Sequence, residues 1–124
     1  MSFETIILLE NITVNSAYGR DYNPITDLDV YFYSDKGLGA GYYKKGDGIQ
    51  TFNFHTEAFV GTIKIQATLE LYPGDNDWFD AHVENFALDS SDSNRSTSIV
   101  GKFVYVRAAY HIENGEIIEI RYNY

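Results

Sequence analysis

Between Gly61 and Tyr72 apolar and polar side chains alternate residue by residue. Ile63, Ile65, Ala67, Leu69 and Leu71 share one phase, and Thr62, Lys64, Gln66, Thr68 and Glu70 share the other. A period of two sends successive side chains to opposite faces of an extended chain, whereas a helix would scatter these residues around its circumference. The segment therefore predicts a strand with one buried and one wet face. Pro73-Gly74 ends it, because proline cannot continue a central strand and glycine supplies turn conformations.

The same rhythm recurs along the chain. Val104, Val106, Ala108, Tyr110 and Ile112 predict a second strand. Asn114-Gly115 follows, a dipeptide that closes two-residue hairpins, and Ile118, Ile120 and Tyr122 predict a return strand with Glu119, Arg121 and Asn123 on its other face. Shorter strands are expected at Ile6–Val14, with a bulge or bend at Glu10-Asn11. Others are expected where Leu28, Val30 and Phe32 alternate with Asp29, Tyr31 and Tyr33, where Phe52 and Phe54 alternate with polar neighbours, and where Phe79, Ala81 and Val83 do so. Lys36–Gly48 reads as a glycine-rich loop or short edge strand, and Asp89–Ser98 as a mobile polar loop. The reading is a single all-β domain over residues 1–124. Its expected form is an antiparallel β-sandwich of about eight strands, with a jelly-roll-like path.

Composition supports this and narrows function. The 124 residues suit one hydrophobic core, and eleven Tyr and eight Phe enrich the chain in strand formers. With no cysteine, disulfides, thiolate catalysis and cysteine-held metal drop out. The net charge of −9 and only nine Lys and Arg argue against a nucleic-acid partner and against an anionic membrane surface. No apolar run approaches bilayer length. Met1–Glu10 lacks both a basic region ahead of Ile6–Leu9 and a small-residue cleavage site, so no signal peptide is expected.

Motifs for chemistry are sparse, and no catalytic residue and no cofactor is expected. Asp27/Asp29, Asp75/Asp77/Asp80 and Glu113/Glu116/Glu119 contain the carboxylates that acid–base catalysis needs, but they fall on turns or wet strand faces and read as solvated. Asp75 and Asp77, beside Gly74, offer oxygen ligands for a hard cation without the spacing of a calcium loop; an Asx-rich turn is the simpler account. His55, His82 and His111 are far apart, each on the polar phase of a strand, so no zinc site is expected. Gly37, Gly39 and Gly41 mimic part of a dinucleotide fingerprint but precede no helix.

The aromatic residues carry more weight. Tyr22, Tyr31, Tyr33, Tyr42, Tyr43 and Trp78 suit an assembly surface, core packing or a sugar-stacking platform. Gln66 and Arg107 interrupt apolar strands and are expected to make buried hydrogen bonds between neighbouring strands. Arg107, the only charge between Phe103 and Tyr110, is also expected to pair with a carboxylate across the sheet.

Three stretches carry a resemblance. They are Gly41–Thr51 (GYYKKGDGIQT), Phe59–Leu69 (FVGTIKIQATL) with Pro73 and Asp77-Trp78-Phe79, and Gly101–Ala108 (GKFVYVRA) closing on Gly115–Tyr124 (GEIIEIRYNY). In order and spacing they resemble a family of short virion structural proteins of T4-like tailed phages, particularly those infecting marine cyanobacteria. The match covers roughly the last two-thirds of the chain. It departs at Tyr105, where the family carries a tryptophan, and at the final residue, where Tyr124 replaces a histidine. The resemblance implies a non-catalytic component of the head, neck or tail, made in the host cytoplasm and located in the virion. It would assemble with other virion proteins, as a homo-oligomer or in many copies. The alternative is a carbohydrate-binding β-sandwich module directed at a host surface glycan.

Overall fold

The protein is described by a computed structural model that covers residues 5–43, 48–87 and 92–123. Two strands dominate it: β4 (Ile49–Thr68, 20 residues) and β7 (Tyr105–Asn123, 19 residues), paired antiparallel over almost their whole length. At about 3.3 Å per residue such a ribbon would extend roughly 65 Å if straight. A compact domain of this length is only about 35 Å across. The ribbon therefore has to fold back on itself.

It does so at one place on both strands. In β4, Ala58 has φ +49° and Gly61 φ +150°, and the register with β7 slips on either side of Val60. Opposite them, Gly115 has φ +81°. The contacts are too close for any side chain: a Cβ on Gly115 would overlap the Ala58 carbonyl, and one on Gly61 would overlap the His111 carbonyl. Asn114-Gly115 is thus not the hairpin turn expected from its sequence. The left-handed glycine bends a continuous strand, because its partner β4 carries a matching irregularity.

The bend divides the sheet into two halves. In the first, β1 (Ile6–Thr13) pairs with residues 116–122 of β7, and β6 (Asp92–Val100) pairs with residues 49–57 of β4. In the second, β5 (Phe79–Phe86) pairs with residues 61–67 of β4, while β2 (Phe32–Tyr33) and β3 (Gly37–Leu38) pair with residues 105–110 of β7. The result is an open antiparallel sheet of seven strands among the described residues, folded into a sandwich-like all-β domain. Leu8, Phe52, Phe54, Ile117, Ile120 and Tyr122 from the first half meet Ile63, Ile65, Ala67, Val106, Ala108 and Ile112 from the second in one core. Phe54 stacks on His82 at 6.4 Å between ring centroids, and the Tyr122 hydroxyl donates to the Leu38 carbonyl at 2.8 Å. Two short helices, α1 (Val14–Tyr18) and α2 (Ala40–Tyr43), cap the ends of strands.

Several sequence expectations change. The alternation after Gly61 continues to Leu71, but β4 leaves the sheet at Thr68, and Leu69 and Leu71 are exposed. Only Phe32 and Tyr33 of the 28–33 segment form a strand, and Leu28 is exposed. Residues 92–98, read as loop, belong to β6. That strand is held by a polar ladder, Thr51 Oγ1 with Ser98 Oγ at 2.9 Å and Asn53 Nδ2 donating to Asn94 Oδ1 at 2.6 Å, which apolar periodicity does not register. Residues 89–91 of that loop, and 44–47 of the glycine-rich segment, lie outside the described residues. In β5 a bulge between Asp80 and His82 reverses the phase: Phe79 stands opposite core Ala67, while beyond the bulge Val83, opposite Lys64, faces outward and His82, Glu84 and Phe86 take the inner side, with Glu84 and Phe86 meeting Arg95 of β6. In β7 a slip opposite His55/Thr56 puts Ile117, rather than Ile118, into the core beside Ile120.

The bend makes a direct prediction. Gly115→Ala and Gly61→Ala should each destabilise the domain by about 3–5 kcal/mol in urea unfolding, combining backbone strain with overlap. Gly19 also has positive φ (+74°) but nothing within 4 Å of a built Cβ, so Gly19→Ala should cost only about 1–2 kcal/mol.

Candidate functional site

The outer face of the second half-sheet brings together residues that are distant in sequence. Gln66 lies directly across from Arg107 on β7 and from Asp80 on β5. Its amide oxygen accepts from Arg107 Nε at 2.9 Å and its amide nitrogen donates to Asp80 Oδ1 at 3.0 Å. Asp80 Oδ2 in turn pairs with Lys64 Nζ at 3.4 Å, and that ammonium sits 4.7 Å from the centroid of the Tyr31 ring. At the other end, the Arg107 guanidinium carbon lies 4.3 Å from the ring centroids of both Tyr33 and Trp78. A row of rings, charges and one amide thus crosses β7, β4 and β5.

Arg107 was expected to pair with a carboxylate and to be buried. It is half-buried on the outer face, and among the described residues its nearest polar partner is the Gln66 amide, with the charge packed on two rings instead of an acid. Partial burial lowers its pKa, opposed by the nearby Tyr33 and Asp75. Gln66 is likewise half-buried. The fully buried amide is Gln50, whose Nε2 donates to the Gly48 and Gly101 carbonyls at 3.0 and 2.9 Å and whose Oε1 accepts from Ala40 N. Nothing in the apolar pattern distinguished these two glutamines.

Beside Arg107 opens a shallow cavity of about 480 Å³. Ser34, Asp35 and Lys36, from the link between β2 and β3, form one wall. Pro73, Asp75 and Trp78, from the link between β4 and β5, form the other, with Arg107 between them. Tyr31, Tyr33 and Trp78 are therefore gathered on this face. Tyr22 borders this face without reaching the cavity, packed on Tyr18 and His111 at 5.9 and 5.5 Å, with Tyr31 on the same imidazole at 5.8 Å. Tyr42 and Tyr43 contribute backbone to α2, and their side chains lie outside the described residues.

Two other polar clusters serve structure. Asp27, expected to be solvated, is buried: it accepts from Arg20 Nη2 at 2.6 Å and from Asn23 N at 2.8 Å, pinning the 20–27 loop. The Arg20 hydrogen bond holds its carboxyl below the ordinary range, although burial opposes this. His111, expected on a wet face, is buried too; its Nδ1–H donates to the Val30 carbonyl at 2.7 Å. Between the sheet halves, Glu84 receives Arg95 Nη1 at 2.9 Å and bonds His82 Nε2 at 2.8 Å. Burial pushes the Glu84 carboxyl up, but these partners outweigh it and hold it below its usual value. A general acid needs its pKa raised; Asp27 and Glu84 both move the other way. Asp77 spends a carboxylate oxygen on Gly74 N at 2.7 Å, while Asp75 lines the cavity. Among the described residues no group of three or more His, Asp or Glu side chains is placed to hold a metal, and no helix is long and apolar enough to cross a membrane.

Compared with models of known protein families and with curated protein sequences, the chain matches neither.

The Glu84 pair sets an acid dependence. A carboxyl whose folded pKa is lowered contributes stability above its unfolded pKa and loses it as pH falls through the folded value. Glu84→Gln should lower the urea midpoint at pH 7 and flatten its decline below about pH 4.5, the ordinary glutamate value. Parallel declines in the two proteins would show that the pair contributes nothing.

Proposed function

We propose that the protein is a non-catalytic structural component of a tailed-phage particle that works by docking against other subunits. The observation that carries this reading is a cluster of exposed apolar side chains at one end of a molecule of net charge −9. Where β4 leaves the sheet, Leu69, Leu71 and Tyr72 are 65, 49 and 89 % exposed. At the same open end of the fold, Ile49 and Val100 pair across β4 and β6 while 45 and 73 % exposed. Water-exposed apolar side chains gathered at one end favour burial against a partner. With a net charge of −9, a suitable partner is a particle subunit presenting an apolar patch flanked by Lys and Arg. The sequence resemblance to small virion proteins supports the same reading.

Mass spectrometry of purified particles should find the protein in fixed stoichiometry. A Leu69→Ser/Tyr72→Ser double variant, altered only at exposed positions, should keep its unfolding midpoint yet enter particles at least about tenfold less, the loss of roughly 1.4 kcal/mol or more of contact. A protein missing from particles, or a variant incorporated normally, would sink the proposal.

A further inference from the structure

We propose that the cavity beside Arg107 binds an acidic monosaccharide unit, a pyranose bearing a single carboxylate, and that Arg107 is the carboxylate receptor. The argument starts from what holds Arg107. Gln66 takes its Nε–H and the Tyr33 and Trp78 rings pack against the guanidinium, so the fork is fixed in place before any ligand arrives. Among the described residues its two Nη groups have no hydrogen-bond partner, although the Asp75 carboxylate lies close enough to be felt electrostatically. A guanidinium presents parallel N–H donors matched to the two oxygens of a carboxylate, and orienting it in advance removes an entropic cost of binding.

The surroundings select the remainder of the ligand. About 480 Å³ is within the range of small-molecule sites, large enough for one sugar ring. Trp78 supplies aromatic surface against which the C–H face of a pyranose can rest. Asp35 and Asp75 are acceptors for ring hydroxyls, and Lys36 is a second donor. Two carboxylates balance the two cations in the lining, and the whole chain carries −9. A polyanion or a phosphate dianion would meet repulsion there that a single carboxylate largely escapes. The site uses residues other than Leu69 and Tyr72, so it stands or falls independently of assembly through the apolar end.

Trp78 is the only tryptophan in the chain, so its fluorescence reports the site directly. Titration of the intact protein with glucuronate should give a saturable change in emission, with glucose at least about tenfold weaker for want of the carboxylate. Arg107→Lys, which keeps the charge and loses the fork, should weaken glucuronate by about tenfold or more. Lys36→Gln, at an exposed position clear of the core, should weaken it by a smaller factor. It also supplies the test if Arg107→Lys fails to fold by circular dichroism. Glucose binding as well as glucuronate would overturn the carboxylate assignment. Acetate or inorganic phosphate binding as tightly would reduce the site to a simple anion site, and N-acetylglutamate binding more tightly would make it a peptide site; either result overturns the proposal. So would an unchanged emission spectrum together with unshifted amide resonances of Lys36 and Arg107 at saturating glucuronate.

Discussion

The structure depends on a length mismatch. A two-stranded ribbon of about 20 residues a side cannot lie flat in a domain of this size, and everything else follows from how it bends. The bend is built from close backbone approach: Gly115 against the Ala58 carbonyl, Gly61 against the His111 carbonyl. Because the side-chain period is two, the extra residue near Val60 changes which parity of β4 faces inward, from Phe52, Phe54 and Thr56 before the bend to Ile63, Ile65 and Ala67 after it. Without that slip, folding the ribbon would turn one half's apolar face to water. The bulge and the bend are therefore one device, and they allow a single sheet to do what a sandwich does with two.

Folding the ribbon also decides what each surface becomes. The closed end is occupied by the bend. The open end collects chain ends of β4 and β6 whose apolar residues find no cover, while Gln50 ties Gly48 to Gly101 and keeps that end shut. Between the edge strands, Arg95 reaches across to Glu84 and the Asn85 carbonyl, and packs over the Phe86 ring at 4.2 Å. That contact joins β6 to β5, two strands that share no backbone ladder, and fixes the distance between the halves at their margin.

How much of this the sequence disclosed depends on whether the relevant force is local. Alternation identified both halves of the ribbon, because burial on one face is a property of each strand alone. It did not show that residues 49–57 and 60–68 form one strand, or that Asn114-Gly115 bends instead of reversing the chain. A left-handed glycine serves either purpose, and the opposing strand decides which. Alternation also ran past the end of β4 to Leu71, since the pattern does not say where partners stop. For the site, Tyr31, Tyr33, Trp78, Gln66 and Arg107 were singled out as residue types, and the fold places them on one face. Alternation put Lys64 on the same face as Gln66, but Asp80 was not linked to them, because the bulge in β5 that aligns Asp80 with Gln66 leaves no trace in the spacing of either strand. Arg107 met an amide where a carboxylate was expected for the same reason: its neighbour is set by register, and register places Gln66 opposite.

The segment from Leu69 to Trp78 connects the two surfaces. Its first residues form the apolar end, and its last, Pro73, Asp75 and Trp78, form a wall of the cavity. It is anchored at one side by the departure of β4 at Thr68, whose carbonyl accepts from Val104 N, and at the other by Trp78 against Arg107. Between these anchors the described residues give two ties, Glu70 N donating to Thr68 Oγ1 at 3.2 Å and the short turn in which Gly74 and Asp77 bond each other. One link therefore shapes both surfaces, and its length and turn geometry fix where the apolar end stops and the cavity wall begins.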